Sequence, residues 1–260
     1  MKKVNKNDIV PTELEKYFED NPTATWENFK NESQTGYKTV LQEIKNNQGG
    51  VCCYCEITFY DDKGIRDDFR VEHFHPKSDT SNNKNWNLIW TNLLGCCHGG
   101  SDKSVLGAKR FIENKKHRHS DVLKGEKSWD DEILNPLLEI PAFPPIFSVS
   151  LKNGEMSVLE KNCHDAGVDE TKAKNCLDEK KLNLNSPILQ EWRVGVLEKL
   201  NEQIEELFQT TKDFETSITM VLSANLEKDS NGNYPAFFTT IRSYFKDDAE
   251  EFLRLNSYDG

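Results

Sequence analysis

Apolar residues recur at helical spacing in the last third of the chain and predict its longest helix there. The recurring positions are Leu189, Trp192, Val196, Leu200, Ile204 and Leu207. This spacing places them on one face of a helix. Ser186 stands where an N-cap is expected and Pro187 suits a first turn, so the helix should begin at this point.

Similar patterns predict helices near both ends of the chain. Asn21-Pro22 should end the first, and Gly49-Gly50 should stop the second. The predicted ranges are Thr12 to Asp20, about Thr25 to Asn47, Ser217 to Leu226, and a final stretch that Pro235 opens and that runs through Phe252.

In residues 51–76 the helical pattern ends, and two short apolar runs predict two short strands. Ile57 and Phe59 belong to a first apolar run, and Val71 belongs to a second one. The Asp-Asp-Lys-Gly sequence at 61–64 is a polar turn between them. This part of the chain should therefore form a β-turn-β unit.

Turn signals beyond this unit divide the rest of the chain. Residues 86–94 contain apolar positions without a clear period and are predicted to be loop with one turn of helix. Asn153-Gly154 is a strong hairpin signal and predicts a hairpin over 146–158. Three segments result: a helical one at 1–49, a compact core at 50–140, and a hairpin with helices at 141–260.

The composition is that of an ordinary soluble protein. Hydrophobic residues make up 36% and charged residues 30% of 260 positions, which is neither a disordered nor a membrane composition. The N-terminal lysines are not followed by an apolar segment, so no signal peptide is expected. No stretch reaches the roughly 18 apolar residues of a spanning helix. We therefore expect a cytoplasmic protein without membrane contact.

The net charge of −11 argues against coating of nucleic acid by bulk electrostatics. The charge is uneven, however, because residues 103–127 contain eight basic residues against three acidic ones. Such a segment fits a localised phosphate-binding site. On charge alone, a solvated lysine-rich loop explains it equally well.

The seven cysteines are clustered and odd in number, which does not suggest a disulfide framework in a reducing compartment. Cys52, Cys53 and Cys55 form one group and Cys96 and Cys97 another. Such clustering favours a metal site. Two isolated cysteines are interpreted as small buried residues: Cys163 and Cys176.

Glu72 and His73 carry the strongest catalytic signal in the sequence. Hydrolysis of a phosphodiester needs a base for the water and a cation for the charge that builds on the phosphate. His73 has a side chain that titrates near working pH, and Glu72 offers a hard oxygen ligand beside it. Asp121, inside the basic segment, is available as a further oxygen ligand.

At this point the sequence resembles a known family. The motifs are VCCYCE, VEHFHPKS, NLLGCCHGG, HSDVLKGEK and LNP, followed by KKLNLNSPILQEWR at Lys180 to Arg193. Together they resemble the HNH nucleases of bacterial anti-phage systems, and among them PtuB, the nuclease subunit of Septu and of certain retron systems. The resemblance extends from about residue 41 onward.

The resemblance implies a role for each matching residue. His73 resembles the general base, and Asn92 the middle Asn that fixes the loop and the histidine. Glu72 and Asp121 resemble the ligands of a catalytic cation, which would be Mg²⁺ or Mn²⁺ because carboxylates favour hard ions. Two lysines are candidates for contact with the substrate: Lys77 and, in a phosphate-binding role, Lys124.

The resemblance also implies a structural zinc site, at which this sequence departs from its relatives. Cys52, Cys55 and Cys97 are the first three expected ligands, with Cys53 as a substitute for Cys52. Where relatives have His-Cys-Asp, this chain has His119-Ser120-Asp121, so His119 is the expected fourth ligand. The competitors for that position are Cys96, His98 and His117.

We therefore predict an α+β protein in which a small ββα-metal core with a zinc knuckle is embedded in a mostly helical scaffold. The predicted function is endonucleolytic cleavage of nucleic acid, DNA rather than RNA, in an anti-phage system. The resemblance implies a PtuA-type ATPase partner, with retron RNA or DNA as a further component. Two alternatives are an RNA-cleaving nuclease, for example one that cuts tRNA, and a zinc-stabilised nucleic-acid-binding module without catalysis.

Overall fold

The computed structural model describes residues 1–6, 8–60, 67–81, 83–105 and 110–260. The predicted turn at 61–64 and Lys109 of the basic segment lie outside the described residues. Within them, helices and two small antiparallel sheets are combined, which confirms the expected α+β class. No helix in the described ranges is both long and apolar enough to cross a membrane.

Helices lie on both sides of the central, cysteine-containing part. They are α1 (Thr12–Asp20), α2 (Trp26–Glu32), α3 (Gln34–Gln48), α4 (Glu160–Ala166), α5 (Glu170–Leu177), α6 (Pro187–Thr211), α7 (Phe214–Leu226), α8 (Phe238–Phe245) and α9 (Asp247–Leu255). Short 3₁₀ turns are formed by Trp90–Asn92, Lys115–His117 and Ser120–Leu123.

Several predicted helices differ from the structure at their ends. The stretch predicted from Thr25 is two helices. A capping box at Thr25 starts α2, and the helical conformation is interrupted at Ser33 before α3 begins. The final helix begins at Phe238 and is interrupted at Lys246, whose φ is 51°. Ser186 precedes α6 as predicted, but its side chain makes no capping bond. Helices α4 and α5 were not predicted.

Two strands at the centre carry the residues of interest. Strand β1 (Arg70–His73) pairs antiparallel with β2 (Leu93–Cys96), with Glu72 opposite Leu94. The predicted β-turn-β unit is present only in part. The run that ends at Tyr60 forms one antiparallel bridge to Asp67 before β1, whereas β1 itself pairs with β2, and Ile57 is folded into the cysteine turn, where its carbonyl accepts from the Cys52 N–H at 2.9 Å. The predicted hairpin at 146–158 is confirmed as β3 (Phe147–Val149) and β4 (Met156–Val158).

The hydrophobic cores hold this central sheet between the helices. One core joins α1–α3 to Leu88, Trp90 and Leu93 beside β2. A second joins the cysteine turn to β3, β4 and the start of α6, and it includes the buried Cys163 and Cys176. A third is formed by α6–α9. The central segment is therefore packed from both sides, while its boundaries at 50 and 140 stay a prediction.

Candidate active site and thiol cluster

The cysteine turn is attached to β2 by a short network of hydrogen bonds. The Cys53 N–H donates to the Gly95 carbonyl at 3.0 Å, and the Gln48 side-chain amide donates to the carbonyls of Val51 and Gly95. Gly95 also donates to the Gln48 side-chain oxygen at 2.6 Å. A Cβ at Gly95 would lie 2.8 Å from the Phe69 ring, so only glycine allows this close packing. The end of α3 thereby fixes the turn against the sheet.

The segment that carries His119 and Asp121 is held by contacts from distant parts of the chain. The His119 N–H donates to the Gly99 carbonyl at 3.2 Å, and a Cβ at Gly99 would lie 2.1 Å from the His119 carbonyl oxygen. The Ser120 N–H donates to the Leu182 carbonyl at 2.8 Å. Asn183 donates to two carbonyls in the segment before it. The Leu-Asn-Leu-Asn run near residue 183 therefore positions the catalytic segment.

Three of the predicted catalytic residues line one cleft of about 300 Å³. Its walls are formed by Arg70, Val71, Glu72, His73, Pro76, Lys77, Asp121, Val122, Gly125 and Glu126. The structure thus brings Glu72 and His73 of β1 together with Asp121, about 50 positions later in the chain. Lys77 lines the same cleft and completes a mixed lining of acids and cations.

Two of the three carboxylates in the cleft lining, Glu72 and Asp121, each contact a basic side chain. The Lys124 ammonium donates to Glu72 Oε1 at 2.7 Å, and the Tyr54 hydroxyl donates to the same oxygen at 3.3 Å. Arg70 forms an ion pair with Asp121. Burial raises the pKa of Glu72 to about 8, and the nearby Asp121 carboxylate adds to this effect against the opposing charge of Lys124. Glu72 therefore holds its proton more tightly than an exposed glutamate does.

His73 is oriented by a backbone carbonyl. Its Nε2 lies 3.1 Å from the Asn87 carbonyl oxygen, which can only accept, so Nε2 carries the proton and Nδ1 is left as a proton acceptor. The Trp26 ring packs edge-on at 5.5 Å between centroids. Burial lowers the pKa of His73 to about 4, which keeps the ring neutral at pH 7.

Asn92 holds the loop that follows β1. Its side-chain oxygen accepts from the His75 N–H at 2.7 Å, and its amide donates to the carbonyls of His75 and Trp86 at 3.0 and 2.9 Å. The Asn92 backbone carbonyl also accepts from the Phe74 N–H at 3.0 Å. Asn92 therefore contacts the backbone on both sides of the loop and is not among the residues that line the cleft.

Lys124 differs from its predicted role as a phosphate contact. Its side chain is 1% exposed, and its ammonium is engaged by Glu72 and by the His73 carbonyl at 3.0 Å. An ammonium enclosed in this way cannot reach a phosphate in the cleft. The structure places Lys124 beneath the site, where it holds the end of β1.

Three buried thiols form a group that could hold a metal ion. Among the described residues, the sulfur atoms of Cys52, Cys55 and Cys97 lie within 4.8 Å of one another, and a second such group consists of Cys52, Cys53 and Cys96. The Cys55 and Cys97 sulfurs are 3.6 Å apart. Burial alone would raise the pKa of the Cys52 thiol, but hydrogen bonds from the neighbouring cysteines bring it well below its usual range.

His119 differs from the predicted fourth ligand in this arrangement. It belongs to neither group of candidate metal ligands found in the described ranges. Its Nδ1 instead lies 3.1 Å from the Ser120 hydroxyl, and that hydroxyl lies 3.8 Å from the Cys52 sulfur and 3.6 Å from the Cys97 sulfur. The backbone turns at Ser120, where φ is 60°, so Asp121 faces the cleft.

Three residues that contact the site were not singled out from the sequence: Arg70, Tyr54 and Asn87. Arg70 could have been found, because it lies two positions before Glu72 and strand alternation puts both on one face. Tyr54 carries no such signal, since its contact with Glu72 depends on how the cysteine turn docks. The contact of Asn87 with His73 depends on a loop that has no periodic pattern.

Comparison with known proteins gives one relative of clear similarity. The chain is 33% identical over 183 residues to "Retron Ec83 putative HNH endonuclease" of Escherichia coli, a match that spans 68% of this chain and 69% of that protein. No family model matches the chain.

The described residues thus place His73, Glu72 and Asp121 in one cleft, with a group of thiols nearby. With the similarity above, the chain belongs to the HNH endonuclease family of retrons. The predicted enzyme class, a hydrolase that acts on nucleic acid, is thereby confirmed.

Proposed function

We propose that this protein is a metal-dependent endonuclease of an anti-phage system, with His73 as the general base. The observation that carries the proposal is the convergence of Glu72, His73 and Asp121 on one open cleft. These residues come from parts of the chain that the fold brings together through β1 and the turn at Ser120.

The state of His73 supports its role as a base. Because the Asn87 carbonyl accepts from Nε2, the lone pair of Nδ1 can accept the proton of an attacking water. Burial keeps the ring neutral, so no proton has to leave before the reaction. The hydrogen bonds of Asn92 fix the backbone that follows His73, which supports a positioning role for this asparagine.

Glu72 and Asp121 fit a hard divalent cation. Both are buried carboxylates in one cleft, and the pKa of Glu72 is raised first by burial and then by the Asp121 charge, so a bound cation would favour the ionised form. Oxygen ligands of this kind are those that Mg²⁺ and Mn²⁺ prefer. When bound, the ion would stabilise negative charge on the scissile phosphate. Glu72 and Asp121 would hold it on the side of the cleft next to His73.

Two cations of the cleft lining are suited to bind the substrate. Lys77 lines the cleft directly. The Arg70 side chain is 35% exposed, and its ion pair with Asp121 uses one of the five donors of a guanidinium. A phosphate that enters the cleft would meet these two side chains, whereas Lys124 is enclosed below them. We assign the phosphate contact to Lys77 and Arg70.

The biological setting follows from the similarity to a retron protein and from the resemblance to PtuB. We propose DNA as the substrate, a PtuA-type ATPase as the partner, and retron RNA or DNA as an additional component of the complex. A structural zinc in the thiol cluster would stabilise the turn between Val51 and Ile57, which holds Tyr54 against Glu72.

Sequencing of cleaved ends tests the substrate assignment. The protein would be produced in cells together with the ATPase partner, challenged with phage, and compared with His73→Ala under the same conditions. New 5′ and 3′ ends in DNA that depend on His73 support the proposal. Ends that occur only in tRNA or other RNA would contradict the choice of DNA while retaining the chemistry. An absence of His73-dependent ends in both would contradict the nuclease mechanism.

A further inference from the structure

We propose that the Ser120 hydroxyl, and not His119, occupies the fourth corner of a metal site formed with Cys52, Cys55 and Cys97. His119 would then accept a hydrogen bond from the serine hydroxyl and so hold its oxygen in place. The proposal concerns metal binding only and does not depend on the proposed nuclease mechanism.

Three distances among these atoms lie within about 0.3 Å of those of a tetrahedral site. With zinc–sulfur bonds of about 2.3 Å and zinc–oxygen bonds of about 2.0 Å, sulfurs at two corners are about 3.8 Å apart and a sulfur and an oxygen about 3.5 Å. The Cys55 and Cys97 sulfurs are 3.6 Å apart. The Ser120 oxygen lies 3.6 Å from the Cys97 sulfur and 3.8 Å from that of Cys52. The oxygen thus lies at the distance of a fourth ligand.

Cys52 belongs to both groups of thiols, so the bonds made by Cys97 and Cys96 distinguish the two groups. The Gly99 N–H donates to the Cys97 sulfur at 3.3 Å, and the Cys97 N–H donates to the shared Cys52 sulfur at 3.4 Å. Such bonds stabilise the thiolate form that binds metals. In the second group, the Cys96 thiol instead donates to an Asp121 carboxylate oxygen at 3.3 Å. The Cys96 thiol is therefore hydrogen-bonded to a residue that lines the cleft.

The position of the Ser120 hydroxyl is fixed by the fold. Its backbone adopts the left-handed conformation with φ of 60° and donates to the Leu182 carbonyl, and the residue is 0% exposed. Its hydroxyl lies 3.1 Å from His119 Nδ1. When the hydroxyl donates its proton to that nitrogen, the oxygen lone pairs remain available to a cation. The His119 ring is itself enclosed and packs edge-on against Trp192.

This assignment has a measurable consequence. Three thiolates and a neutral oxygen bind zinc less strongly than four thiolates do, because one soft anionic ligand is missing. Replacement of Ser120 by Cys should therefore convert the site to one with four thiolates, without any change at His119. If His119 were the fourth ligand, a cysteine at 120 would add no metal–sulfur bond.

Cobalt substitution tests the proposal. The metal-depleted full-length protein would be titrated with Co²⁺, and the sulfur-to-cobalt charge-transfer band compared in the wild type, Ser120→Cys, His119→Ala and Cys53→Ala. We expect a tetrahedral three-thiolate spectrum in the wild type and a band stronger by about one third in Ser120→Cys, from three thiolates to four. Cys53→Ala is the control for loss of a nearby thiol and should leave the band unchanged.

His119→Ala separates the two assignments. As a neighbour of the ligand, His119 should affect affinity by about 10-fold while the visible spectrum keeps its tetrahedral form. Circular dichroism of each variant establishes that it is folded. The proposal is overturned if His119→Ala, still folded, loses the tetrahedral spectrum, if Ser120→Cys gains no charge-transfer intensity, or if the wild type binds no cobalt at the thiols. None of these readouts requires nuclease activity.

Discussion

The cleft and the thiol cluster lie on either side of the turn at Ser120 but are built on opposite principles. In the cleft, Glu72 and Asp121 each contact a basic side chain, and the walls leave about 300 Å³ of open space. In the cluster, Cys52, Cys55 and Cys97 are at most 3% exposed, and their neighbours are other thiols, backbone N–H groups and a hydroxyl.

This difference shows how one short segment can serve two purposes. An open cleft lined by carboxylates and basic side chains is suited to bind a cation and a phosphate and to release product. An enclosed set of thiols is suited to retain a metal. The left-handed turn at Ser120 directs the Ser120 hydroxyl toward the thiols and the next residue, Asp121, toward the cleft.

The largest expected effect is the loss of cleavage in His73→Ala. A general base contributes about 10²–10⁴-fold to the rate, so single-turnover cleavage should fall by that factor on the nucleic acid that the wild type cuts. The variant should still unfold cooperatively, at a melting temperature lowered by the loss of the bond to the Asn87 carbonyl and of the Trp26 contact. His164→Ala is the matched control, since that side chain is 92% exposed on α4. A rate within a few-fold of the wild type would remove His73 from the mechanism.

Metal loss from the thiol cluster should be the next largest effect. Cys55→Ser should release zinc and lower the melting temperature, since a structural zinc contributes directly to folding free energy. Zinc content after dialysis and thermal unfolding measure both. Cys163→Ser replaces another buried thiol, on α4, and should keep the zinc. A stable wild-type protein without bound zinc would refute this half of the comparison.

Replacement of Lys124 should destabilise the folded protein, because this side chain holds the end of β1 beside the cleft. Lys124→Ala leaves the buried Glu72 and the His73 carbonyl without their ammonium donor, and an unsatisfied buried group costs about 1–3 kcal/mol. Lys124→Ala should therefore lower the free energy of unfolding in urea. Lys116→Ala, on an exposed 3₁₀ turn, serves as the control. If Lys124→Ala were as stable as the wild type and bound substrate less tightly, Lys124 would be a phosphate contact after all.

The smallest expected effect is that of Lys77→Ala. As one of two cations in the cleft lining, it should weaken substrate binding by about 10-fold or less, in the range of an exposed charge contact. The apparent KM should rise with little change in kcat, and the effect should shrink at high salt. An unchanged KM at low salt would mean that substrate follows a different path into the cleft.

Individual helices and strands were predicted more accurately from the sequence than the contacts between them. Helix α1 was predicted with its observed bounds, and the hairpin at Asn153-Gly154 was confirmed, because both depend on local patterns. The partner of β1 was predicted wrongly, because it depends on how the cysteine turn folds. The surroundings of Lys124 depend on burial, which no local spacing reports.

The residues at positions 119–121 illustrate the same limit. His119 and Asp121 can serve different sites only if the backbone turns between them, and the structure has this turn at Ser120. A sequence cannot show which of two adjacent side chains reaches the cysteines, because that depends on the contacts of Gly99 and Leu182 with this segment. The contacts of the Ser120 hydroxyl with the thiols therefore became visible only with the fold.

The central claim is that the cleft and the thiol cluster are separate centres and that only the cleft carries hydrolysis. Asp121→Asn tests this most directly, because the residue adjoins Ser120 and lines the cleft. Zinc content and Mg²⁺-dependent cleavage would be measured on the same preparation. We predict unchanged zinc per chain with cleavage lowered by at least about 10²-fold, as expected for a ligand of the catalytic cation. Loss of zinc together with cleavage, or full cleavage by the variant, would contradict the account.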